Sequence, residues 1–391
     1  MGTYDGYEMT ESILDSAKHW SGILPQWSSQ FETERKLSAD IAAEFANAGF
    51  FRMLVPKVYG GLQVHPLEFI EVLKLIAIGD GSAAWNVMIG STTGLLSASL
   101  PEAGAMEIYA ANPQVLTVGV TAPSGRAERK SGGFSVTGRW PFGSGCQNAQ
   151  WISGGCFVYE NGEPVLDLKG QPEVRFMMFP AEQVEIEDTW DVVGLRGTGS
   201  HHFNVSEVFV PDQHTVISGS RASVSEPLYQ FPLLGLLALG VASVALGTGY
   251  RALEEFIQLA SNKQPTGGSR KLAERAAVQS CVARSTADLR SAEALMKEAV
   301  VNAWCFAERG ERLSAELKSS LRLAAVNGTH SAVAAVDRLF EAAGGSAIYS
   351  ESVLQRCFRD VHVTTQHIMV AKPIYEVVGR VQLGLPARSM L

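Results

Sequence analysis

The chain has 391 residues, 46% of them hydrophobic and 18% charged, with a formal net charge of −8. Such a length suits two or three packed units of a globular protein, and the acidic balance, without a basic patch, excludes a nucleic-acid partner. Five scattered cysteines with no CxxC pair point to reduced thiols, and an N-terminus lacking an apolar leader points to a cytoplasmic protein.

From about residue 8 to 110 the chain reads as helices. ESILDSAKHWSGIL and SADIAAEFANAGFF place apolar residues three and four apart, with Ser38 as an N-cap. HPLEFIEVLKLIAIG and AAWNVMIGSTTGLLSASL continue the pattern. Near Pro113 short alternating runs between Gly and Pro take over: QVLTVGVTA, GFSVTGRW, WISGGCFVY, VRFMMFPA, VEIEDTW and HHFNVSEVFVP. Six strands of this kind predict an antiparallel sheet or small barrel. Beyond residue 228 helices return. The apolar run Phe231–Gly249 approaches the ~20 residues of a membrane span, but it is broken by glycines and continues into RALEEFIQLA, so it reads as a buried core helix. Two long alanine-rich stretches follow, the second ending at Gly344-Gly345, and small residues along them suit a bundle. The expected organisation is α+β: a helical unit over 1–112, a β unit over 113–226 and a helical bundle over 227–391.

Four segments carry a resemblance. FFRMLVPKVYGGL, VTGRWPFGSGCQNAQW, DVVGLRGTGSHHFNVSEVFVP and LFEAAGGSAIYSESVLQRCFRDVHVTTQH resemble, in order, segments of the acyl-CoA dehydrogenase superfamily. The resemblance implies that superfamily's fold, with an N-terminal helical domain, a central β-domain, a C-terminal four-helix bundle and a homotetrameric assembly. Dehydrogenases of the superfamily commonly place a proton-abstracting carboxylate nine residues after the terminal arginine. Here that arginine is Arg359 and the position holds Ile368, which cannot accept a proton. His367 stands one residue earlier, where the superfamily's two-component flavin-dependent aromatic hydroxylases carry a histidine.

That branch implies an oxygenase component that takes reduced FAD or FMN from a separate NAD(P)H-dependent flavin reductase, uses O2 as co-substrate, and hydroxylates an aromatic or heteroaromatic substrate through a C4a-hydroperoxyflavin. By resemblance His367 orients or deprotonates the substrate, and imidazole suits the task because its pKa lies near working pH. Ser144 would meet flavin N5. Val120, Thr121, Phe142 and Gly143 would contact the ring, and Gly344 and Gly345 the phosphate region from a neighbouring subunit. Trp85, Met88 and His202 are candidates for the substrate pocket, although a helical core stripe accounts equally for the first two. The superfamily's diphosphate-gripping arginine segment is replaced by SNKQPTGGSRK, where Lys263 or Arg270 is a substitute. His362, five residues before His367, is about 140° away around a helix, so the two make no helical metal pair. An acyl-CoA dehydrogenase with a relocated base, for which Glu254 and Glu255 come nearest, an N- or S-oxygenase on the same scaffold, and a non-catalytic flavin-binding relative stay open at this point.

Overall fold

The computed structural model describes residues 11–265 and 269–389. The chain opens with helices α1 (Glu11–Ile23), α2 (Ser28–Glu34), α3 (Ala39–Asn47), α4 (Pro66–Gly79), α5 (Gly81–Gly94) and the short α6 (Glu102–Ala105). Asp80 divides α4 from α5: its extended backbone ends one helix, and its carboxylate accepts the Ala83 N–H at 2.9 Å to cap the next.

Eight strands follow: β1 (Thr117–Lys130), β2 (Gly133–Gly143), β3 (Trp151–Glu160), β4 (Glu163–Pro164), β5 (Val174–Pro180), β6 (Glu185–Glu187), β7 (His201–Pro211) and β8 (Thr215–Ile217). They form one sheet in the order β6-β7-β2-β1-β3-β5-β8, with β4 on β3. The sheet is mixed, which corrects the antiparallel expectation. β2 returns antiparallel from β1 through a tight turn at Gly132, and the loop after β2 then carries the chain back to the start of β1. β3 therefore runs parallel to β1, Thr117 facing Trp151. Side-chain alternation is the same in both ladder types, so the sequence carried no mark of the difference. Trp140 anchors β2, fully buried against Phe203 with its indole N–H donating to the Gly155 carbonyl at 2.8 Å.

After α7 (Pro227–Gln230) come α8 (Leu233–Asn262), α9 (Ala276–Glu308), α10 (Ala315–Ala343), α11 (Val353–Thr364) and α12 (Ile374–Gln382). The first four of these long elements, α8 to α11, pack on one another as the C-terminal bundle, and α12 lies against α10. The glycine-interrupted run is α8, and 78% of its most apolar window is buried inside the protein. A Cβ at Gly247 would fall 2.4 Å from the Lys74 carbonyl of α4, so glycine there lets the two backbones touch. One core joins the N-terminal helices, the sheet and the bundle.

Candidate functional site at the meeting of helix, sheet and bundle

A cavity of about 740 Å³ opens where α5, the ends of β1 and β2, the start of α8 and the segment after α11 converge. Of the residues singled out in the sequence, Trp85, Met88, Val120, Thr121, Phe142, Ser144 and His367 all line it. Trp85 and Met88 sit one turn apart on α5, which presents both to the cavity.

Ser144 is held by its surroundings. Phe142 takes a left-handed φ of 66° and accepts the Ser144 N–H at 2.9 Å, a tight reversal after β2. Gly145 then donates its N–H to the Thr198 carbonyl at 2.9 Å, tying this turn to the RGTGS loop. The buried Ser144 hydroxyl accepts the Trp85 indole N–H at 3.1 Å and meets Ser200 Oγ at 2.6 Å. Ser200 Oγ meets Thr198 Oγ1 at 2.7 Å, and Thr198 Oγ1 donates to the Leu195 carbonyl at 2.8 Å. Each hydroxyl has one hydrogen, so the far end fixes the direction. Thr198 gives its hydrogen to Leu195, Ser200 gives its own to Thr198, and Ser144 gives its own to Ser200. One lone pair of Ser144 holds the Trp85 N–H, and the other is left to accept a hydrogen bond. Neither Thr198 nor Ser200 was assigned a role from the sequence, although both stand in the RGTGS motif.

His367 faces the same cavity from the bundle side. Its ring stands edge-to-face with Trp85, centroids 5.6 Å apart. Nδ1 accepts the Met369 N–H at 3.3 Å, capping the turn Ile368–Val370. That bond places the ring hydrogen on Nε2. Burial, reinforced by the positive charge of Arg322, pushes the imidazole down to about 4, so it is neutral near pH 7. Ile368 stands exposed at the rim. Among the described residues no Asp or Glu lines the cavity. Glu255 pairs instead with Arg251 at 2.6 Å, and neither it nor Glu254 reaches the wall.

The ring-contact strand is interrupted in a useful way. The β1–β3 register shifts between Val120 and Gly125, so Thr121 and Ala122 have no cross-strand partner on either side, yet both line the cavity. This irregular stretch brings their backbone to the cavity wall. Gly143 does not line the cavity; a Cβ there would lie 2.7 Å from Phe203, so its small size serves the close packing behind Ser144.

His202 lies outside the wall, contrary to the pocket role read from the sequence. Alternation along β7 turns His201 inward, where Nδ1 accepts the backbone N–H groups of Thr189 and Trp190, and turns His202 outward onto Arg139 at 2.7 Å. Gly344 and Gly345 also lie away from this cavity, at the end of α10, where a Cβ on either would meet nothing within 4 Å. Lys263 reaches this corner, donating to the Ala343 carbonyl at 3.0 Å. Residues 266–268 of the SNKQPTGGSRK segment are outside the described residues.

The Arg359-Asp360 pair braces the site from behind. Arg359 bonds Glu32 and the Val193 carbonyl, and Asp360 accepts the Leu195 N–H at 2.6 Å. A Cβ at Gly194 would lie 2.6 Å from the Arg359 carbonyl. Two motifs noted separately in the sequence, GLRGTGS and RD, therefore touch, and the RD pair fixes the loop that carries Thr198 and Ser200.

Residues 239–372 match the family model described as the acyl-CoA dehydrogenase C-terminal domain. An indole-3-acetate monooxygenase of Pseudomonas putida is 34% identical over 374 residues, covering 96% of this chain and 93% of that protein. The oxygenase component of an FADH2-dependent resorcinol hydroxylase from a Rhizobium species is 29% identical, covering 92% of this chain and 91% of its own length. The crystal structure of 3-HSA hydroxylase from Rhodococcus sp. RHA1 superposes with a TM-score of 0.88 at 25% identity, covering 98% of each chain.

Proposed function

Because the chain belongs to the flavin-dependent monooxygenases built on the acyl-CoA dehydrogenase fold, we propose that its cavity is where an aromatic substrate is oxygenated, with Ser144 and His367 as the two working side chains. The chain is the oxygenase component and depends on a partner reductase for reduced flavin. When bound, reduced FAD or FMN supplies two electrons to O2, one oxygen atom entering the substrate and the other leaving as water.

This chain's residues suit that group. The backbone at Thr121 and Ala122, out of register with the neighbouring strands, would hold the polar edge of an isoalloxazine, with Phe142 at the mouth. Ser144, its own hydrogen committed to Ser200, is an acceptor for the hydrogen on flavin N5. His367 offers Nε2–H to the cavity, so it orients the substrate or the oxygen by donation. Deprotonation, the other role implied by resemblance, would need the opposite tautomer. Met88, Phe231 and Leu236 give the cavity an apolar lining that keeps water from the reacting atoms.

The carrying observation is that an acceptor hydroxyl and a neutral imidazole meet across Trp85 in a cavity whose wall has no carboxylate. That wall disfavours an acyl-CoA dehydrogenase with a relocated base, since among the described residues no carboxylate stands on it to take an α-proton. Transient delivery of flavin by diffusion, a homotetrameric assembly and a cytoplasmic location belong to the same proposal. Exposed Ile348, Tyr349 and Leu383 on the bundle side support association of copies, and five free cysteines fit a reducing compartment. The test is to supply reduced FMN or FAD, oxygen and a panel of aromatics, and to measure products. Hydroxylated product from the parent chain and its loss in His367→Ala are expected. Product formation unchanged in His367→Ala removes His367 from the mechanism.

A further inference from the structure

Among the described residues the cavity wall carries no formal charge of either sign. Not one residue lining it is Asp, Glu, Lys or Arg. Its polar side chains are neutral: hydroxyls, among them Thr92, Thr93, Ser99, Ser220 and Tyr229, together with the Gln366 amide, the Trp85 and Trp190 indoles and the His367 imidazole. Several are already committed: Thr92 donates to the Met88 carbonyl at 2.8 Å and Tyr229 to the Leu54 carbonyl at 3.3 Å. Among the described residues the hydroxyls of Thr93, Ser99 and Ser220 have no partner, so each can give or take one neutral hydrogen bond. Arg322, the cation whose field reaches His367, lies behind the wall and donates to the Met369 carbonyl at 3.3 Å. Its guanidinium is not among the groups that line the cavity.

An ionised carboxylate entering such a space would leave its water shell and find no cation. A neutral ring with one N–H or O–H would lose little, because hydroxyl partners are present and the remaining wall is apolar. We infer that this site takes uncharged aromatics and discriminates against aromatic carboxylates of the same ring. The inference deepens the oxygenase reading and rests on it for the identity of the cavity. It also separates this chain from the Pseudomonas putida relative whose name specifies an indole acetate.

Matched pairs test it. Binding of indole, indole-3-acetate and methyl indole-3-acetate to the flavin-free full chain is measured by calorimetry at pH 7.5, alongside 4-ethylphenol and 4-hydroxyphenylacetate. A separate arm measures turnover with reduced flavin and oxygen. The neutral member of each pair should bind at least about 100-fold more tightly than the acid, and the methyl ester should regain the affinity the acid lacks. An acid that binds as well as its ester overturns the inference, as does a neutral ring that binds no better than its acid. If the binding preference holds while no aromatic yields oxygenated product, the neutral site stands and the oxygenase reading falls.

Discussion

Replacing Ser200 by alanine tests the hydroxyl chain at a residue that does not itself bond flavin N5. Ser200 passes the direction of the chain from Thr198 to Ser144 through contacts of 2.7 and 2.6 Å. Without it, the Ser144 hydrogen has no acceptor in the protein and is free to turn into the cavity. Ser144 then becomes a donor at the place where an acceptor is needed. A neutral hydrogen bond is worth about 0.5–1.5 kcal/mol, and a buried group left unpaired costs about 1–3 kcal/mol. At about 1.4 kcal/mol per tenfold change, a cost of about 1–3 kcal/mol for the unpaired group should raise the leak of reducing equivalents roughly 5- to 140-fold. The assay is the ratio of hydrogen peroxide released to substrate hydroxylated at saturating reduced flavin, in the parent, Ser144→Ala, Ser200→Ala and Ser200→Thr. Both alanine variants should uncouple to a similar degree, and threonine should restore coupling. Parent-like coupling in Ser200→Ala beside strong uncoupling in Ser144→Ala would refute the directional chain, and leave Ser144 acting alone.

Three further outcomes follow from contacts in and behind the site. His367 is held near 4 by burial, so it stays neutral from about pH 5.5 to 8 and should add no break to the hydroxylation profile there. Its charged form is disfavoured in the folded state, so its contribution to stability declines only as pH falls from its ordinary 6.5 toward 4. A break near pH 6.5 that vanishes in His367→Gln would contradict the neutral ring. Asp360 is pushed up to about 7 by burial, with Asp80 adding and the Leu195 N–H opposing. The folded chain therefore keeps a proton that the unfolded chain has released above 3.8, so the Asp360 contribution becomes less favourable as pH rises toward 7 and is constant beyond it. Asp360→Asn should flatten that slope in denaturant titrations at a series of pH values; an unchanged slope would rule the group out. Gly194→Ala should lower stability by about 2 kcal/mol or more, because a methyl group must displace the Arg359 backbone. A parent-like melting temperature would show that the loop does not depend on this approach.

Much of the fold was legible because it is written in local periodicity. β7 occupies the run HHFNVSEVFVP from His201 to Pro211, and the apolar, glycine-broken run became the core helix α8. Pairing partners are less local. Parallel β1–β3 contact depends on where a loop delivers the chain, and the extra strands β4 and β8, of two and three residues, are too short to show alternation. The same limit holds in the site. Ser144 and His367 were recognisable by their neighbours in sequence, and alternation separated His201 from His202 without showing that neither lines the cavity. The links through Trp85, Ser200, Thr198 and Leu195, and the brace from Asp360 to Leu195, join segments as far apart as residues 85 and 360. Such contacts follow from packing, and only the three-dimensional arrangement displays them.

Oxygen transfer itself is tested most directly with labelled gas. The purified chain is given chemically reduced FMN or FAD, 18O2 and a neutral aromatic in the absence of any reductase, and the product is weighed by mass spectrometry. One 18O atom per hydroxylated ring and none from solvent is the expected result. Product oxygen drawn from water, or turnover confined to desaturation of an acyl thioester without oxygen uptake, would contradict it.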